Sequence, residues 1–171
     1  MDILVSFRRA RTAIAPDMPF TALTPSARLA LWGLRYWATC ARSGRCPALL
    51  MRDVYQSAGV ADAASSIDAL MRIFHRASRR TPCFGCPACS TITDDEAMLL
   101  QGLCHLQQGD GSAAEPLLSP WLSQPVAEMA APAMEGLALL LQRAGYLLVS
   151  DHVPVFAAGS AQAPSPARHL H

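Results

Sequence analysis

Cys83, Cys86 and Cys89 fall three residues apart in the stretch Thr81-Pro82-Cys83-Phe84-Gly85-Cys86-Pro87-Ala88-Cys89, which holds half of the 6 cysteines in the chain. Thiolates this close in sequence can converge on one metal ion or one iron–sulfur cluster, because Gly and Pro let the loop curl around a centre. The Gly85-Cys86-Pro87-Ala88-Cys89 segment resembles a zinc knuckle, in which a tight turn aims two sulfurs at one ion. The bacterial ferredoxin run has similar spacing but ends in a further Cys-Pro, where this chain has Ser90 and Thr93. Zinc is therefore the first expectation, an iron–sulfur cluster the second and a metal-free, redox-active thiol cluster the third.

Three thiolates leave a tetrahedral site one ligand short. The candidates for closing it are Cys46 and His75 first, then Cys40, then Cys104. His75 precedes Cys83 closely enough for the chain to curl it back. Cys104 lies eleven residues along a helix beyond Thr93, about 16 Å at 1.5 Å per residue, and reads as a core cysteine. Asp94, Asp95 and Glu96 could supply a base for metal-assisted hydrolysis. A capping box explains them without chemistry, and a site of thiolates is closed to substrate, so a non-catalytic protein is expected.

The elements that would position this loop are helical. Thr24-Pro25 is a capping residue followed by proline at the first helical position, opening a helix to about Ser43 with Gly44 as its stop. Leu29, Trp32, Tyr36 and Cys40 recur on one of its faces. A second helix covers about 47–57, ended by Gly59, and a third about 61–79, with Ile67, Leu70, Met71 and Phe74 as its apolar stripe. Thr93-Asp94-Asp95-Glu96 then opens a helix to about Gln108. A short helix over 113–123 and a long one over 127–148 complete the pattern, and no segment alternates with period two. The fold class is all-α: one domain of five to six helices. Residues 1–22 form an irregular lead-in. Residues 23–150 form the domain, with a three-helix part (23–80), the cysteine loop (81–92) and a C-terminal helical hairpin (93–150). Residues 151–171, rich in Ala, Ser and Pro, read as a disordered tail.

Charge follows this division. Every basic residue among the 14 is Arg, a bias of high-GC bacterial coding and not a functional signal. Residues 1–80 carry twelve arginines against five acids, and residues 81–171 carry two against eight, within a net charge of +1. Arg72, Arg76, Arg79 and Arg80 crowd the end of the third helix, where they suit its dipole and could meet DNA phosphates. Val54, Ala58, Gly59 and Val60 fit the turn of a bihelical DNA-binding unit, but Ser65 and Ser66 stand where that unit is apolar. Gly102, His105, Gly109, Ala114, Leu118 and Trp121 are spaced like one tetratricopeptide-type hairpin; a single unit reads as a generic helix pair. No secretory signal or bilayer-length apolar run is evident, so a cytoplasmic protein with no membrane association is expected, in which clustered cysteines favour metal or redox chemistry. The expectation is a bacterial metal-binding regulatory or adaptor protein with a protein partner, its site clamping two helical halves. The alternatives are an iron–sulfur or redox-sensing DNA-binding regulator, and a metal-free helical interaction module.

Overall fold

The computed structural model describes residues 14–109 and 114–148. The expected tail over 151–171 and the first thirteen residues of the lead-in lie outside the described residues. Within them the fold is helical. A 3-10 turn, Phe20–Ala22, is followed by α1 (Pro25–Arg42), α2 (Ala48–Ser57), α3 (Ala63–Ala77), α4 (Asp94–Gln107), α5 (Ala114–Leu118) and α6 (Gln124–Arg143). None of these helices is long and apolar enough to cross a membrane.

The starts follow the local signals. Thr24 Oγ1 accepts from Ala27 N–H at the head of α1, with Pro25 behind it. Thr93 and Glu96 form the reciprocal capping box of α4. The ends differ from expectation where tertiary contacts or glycine intervene. α3 stops at Ala77, not Arg79, because the Arg79 N–H turns to the Trp121 carbonyl (2.8 Å). α5 is shorter than 113–123, and α6 begins earlier than 127, with a proline in its first turn. α6 also ends before 148: Gly145 takes a left-handed φ of 83°, and Tyr146 N–H donates back to Leu141.

α6 is the centre of the packing. It lies along α3 and also contacts α4 and α5, while α1 rests on α3 and α4, and α2 on α3. The two halves of the sequence thus share one apolar core, including Leu31, Ile67, Leu70, Phe74, Leu100, Trp121, Met134 and Leu137, each at most 2% exposed. The Trp121 ring meets Phe74 edge-on at 5.8 Å. At Gly33 of α1 an added Cβ would run into the Tyr55 hydroxyl and Ile67 Cδ1, so the close approach of these helices requires glycine there. Within the C-terminal part, a polar contact lies at the far end of α4: the Gln107 amide donates to Ala138 and Tyr146 carbonyls and accepts from Leu148 N–H.

Residues 78–93 connect α3 to α4 and lie along α1. Their exit is pinned by the lead-in. Pro19 and Thr91 form an isolated antiparallel bridge, with Asp17 N–H donating to Ile92 (3.0 Å), Ile92 N–H to Met18 (3.0 Å) and Phe20 N–H to Ser90 (2.7 Å).

Candidate functional site: the cysteine loop

A cysteine loop needs its backbone polar groups satisfied before its sulfurs can be held in place. Here a buried guanidinium and two carboxylates do this. Arg35, in the middle of the apolar face of α1, is fully buried, as is Glu96 in the first turn of α4. Arg35 Nε and Nη2 each donate to one oxygen of Glu96 at 2.8 Å, a bidentate pair. The remaining donor capacity of Arg35 goes to the loop carbonyls, Nη1 to Cys89 (2.8 Å) and Nη2 to Thr91 (2.6 Å). Glu96 in turn accepts from Gly85 N–H and Thr93 N–H, both at 2.9 Å. The Phe20 ring closes over the guanidinium at 5.2 Å. A Cβ on Gly85 would sit 3.3 Å from both Arg35 Nη2 and Cys89 Cβ, so this glycine admits the arginine.

Asp95 repeats the arrangement one residue earlier. It accepts a bidentate pair from Arg80 (2.7 and 2.9 Å) and the Cys83 N–H (2.6 Å). Burial opposes its ionisation, but the hydrogen bonds from Arg80 and Cys83, with a lesser contribution from the Trp121 indole, outweigh that and hold its pKa below the ordinary carboxylate range. Trp121 Nε1 itself reaches no partner at hydrogen-bonding geometry. Thr93 Oγ1 donates to the Cys83 carbonyl (2.7 Å), and Arg42 Nη1 donates to that of Phe84 (3.3 Å).

On this frame Cys86 is exposed and Cys89 half-buried. Cys83 is exposed and free, while Pro82 and Phe84 on either side of it are buried. Cys86 and Cys89 are joined as a disulfide, and Cys86 N–H donates to Cys89 Sγ at 2.9 Å. The candidate fourth ligands are dispersed. His75 shares a groove with Pro82 and Phe84, on their inner side, and its ring meets Trp37 edge-on at 6.0 Å. Cys46 is exposed beyond the end of α1 and near enough to Arg72 to raise that guanidinium's pKa slightly, after the larger effect of Asp68. Cys40 is buried. Cys104 is a core cysteine whose Sγ donates to the Leu148 carbonyl (2.9 Å). Among the described residues no three His, Cys, Asp or Glu side chains are grouped to hold a metal ion.

Three of the four arginines proposed for DNA have partners within the fold. Arg72 pairs with Asp68 (2.7 Å), Arg79 donates to the Leu122 (2.8 Å) and Ser119 (3.3 Å) carbonyls, and Arg80 belongs to Asp95. Arg76 stays exposed. Of this frame only Arg35 carries no role in the sequence reading, where Arg80 is a candidate DNA contact and Asp95 and Glu96 are first-turn acids of a capping box. The available signal was Arg35, a charge among Leu31, Leu34 and Ala38 that burial obliges to find a carboxylate. Neither family models, nor curated proteins, nor solved structures give a match to this chain.

Proposed function

We propose that this is a non-catalytic regulatory or adaptor protein whose cysteine loop is a thiol site with two forms. Reduced, Cys83, Cys86 and Cys89 offer three thiolates to zinc, or secondarily to an iron–sulfur cluster, with the remaining ligand drawn from His75, Cys46 or a partner. Oxidised, Cys86 and Cys89 form the disulfide and withdraw two of the three; two thiols give up two electrons and two protons to an oxidant such as hydrogen peroxide, which leaves as water. The observation that carries this reading is the frame beneath the loop. Its backbone is fixed by Arg35, Glu96 and Asp95, while Cys83 is free and exposed. Because that frame draws on α1 and α4, a metal on the loop would tighten the contact between the two halves, as binding energy at such a site is also folding energy.

Metal content and the absorption spectrum of protein purified anaerobically under reducing conditions test this. One zinc per chain, lost on peroxide treatment and restored by reduction and zinc, is the expected result; a brown chromophore selects the cluster instead. Cys86→Ser should abolish stoichiometric metal and lower the melting temperature only of the reduced, loaded protein. Absence of metal in the reduced wild type together with unchanged melting on adding zinc rejects the metal reading. The DNA-binding alternative has less support, since three of its four arginines already have acceptors. A measurable duplex affinity falling steeply with salt would revive it.

A further inference from the structure

A groove of about 150 Å³ lies on the inner side of the cysteine loop, between the last turns of α1 and of α3. Its walls are Trp37, Met71, Phe74 and Phe84, all buried, and two side chains at its rim, Arg42 and His75, are exposed and basic. That volume is on the order of what admits a single benzene ring. No acidic side chain lines the groove. Arg42 donates to the Phe84 carbonyl and the Thr39 hydroxyl (3.1 Å), and among the described residues it makes no ion pair. An apolar recess with an uncompensated guanidinium at its mouth is complementary to a flat apolar body carrying one negative charge.

We infer that this groove is a binding site for a small aromatic carboxylic acid, its ring between Trp37, Met71, Phe74 and Phe84 and its carboxylate on Arg42. The inference stands on the groove and its charge, and does not rest on the thiol reading. An occupant would touch Pro82 and Phe84, the buried neighbours of Cys83.

Benzoate is the probe, with toluene as the uncharged control. Trp37 Nε1–H donates to Asp68 at 2.7 Å, which gives its indole proton signal a fixed environment in an NMR titration. Saturable shifts of that signal with benzoate are expected. Arg42→Gln, at an exposed position, should weaken benzoate about tenfold or more while leaving toluene unchanged. Ala38→Leu, which adds volume to the groove wall, should weaken both. No saturable shift with either compound overturns the site. Equal benzoate affinity in wild type and Arg42→Gln, or toluene binding as tightly as benzoate, overturns the assignment to a carboxylic acid.

Discussion

Two of the joints between the halves of this chain work by opposite means. Where α3 lies along α6, the contact is made by apolar residues such as Ile67, Leu70, Leu137 and Leu141, and a Cβ added to Gly136 would stand 3.4 Å from the Ser66 hydroxyl. Where α1 meets the start of α4, it is made by Arg35 and Glu96, with the cysteine loop threaded between them as a third party. An apolar joint loses stability in proportion to what is removed, because the hydrophobic effect scales with area. A buried ion pair that also satisfies four backbone groups fails differently. Removing either member strands a charge and unmakes the loop at once.

The largest effect should separate these cases. Arg35→Met or Glu96→Gln is expected to cost about 3–5 kcal/mol in denaturant unfolding, because each leaves its partner buried and uncompensated. Both should also speed the reaction of Cys83 with thiol reagents. The double variant Arg35→Met/Glu96→Leu should recover little, since the Gly85 and Thr93 amides and the Cys89 and Thr91 carbonyls would remain without partners. Full recovery would show that the pair serves itself and not the loop.

Leu137→Ala in α6 is expected to cost about 2–4 kcal/mol by leaving a cavity. It should leave the reactivity of Cys83 unchanged in the folded state. A change there would mean that the two joints are coupled, and the contrast between them would fail.

A smaller effect is expected at Asp95. Asp95→Asn should cost about 1–2 kcal/mol near neutral pH by weakening its bonds to Arg80 and the Cys83 amide. Because the folded protein holds the Asp95 pKa down, its contribution is fully present above the ordinary aspartate value of about 4 and is lost as pH falls through the lower folded value. The stability difference between wild type and Asp95→Asn should therefore shrink on acidification below about pH 4. A difference that stays constant to lower pH would mean that the carboxylate is not held in its charged form by the fold.

The parts of this structure that could be read from sequence are those whose cause is local. Thr24-Pro25 opens α1, Thr93 and Glu96 cap α4, and Gly59 and Gly109 end their helices with left-handed φ values of 74° and 91°. The site was less legible because its causes are distant. Glu96 satisfies the capping box so completely that nothing nearby advertises its second role, and its partner Arg35 lies 61 residues away. The end of α3 was misjudged for the same reason, since Arg79 leaves the helix for Trp121. The end of α6 was legible in principle, because Gly145 is a C-terminal stop set among residues of good helix propensity.

The Thr93 hydroxyl accepts from the Glu96 amide (3.2 Å) and donates to the Cys83 carbonyl. One rotor thus belongs to the helix start and to the cysteine loop together, and neither can fray without the other. In hydrogen exchange the amides of Cys83, Gly85, Thr93 and Glu96 should therefore open as one cooperative unit with a common protection factor. The loop would behave as an extension of α4, not as a surface segment with motions of its own.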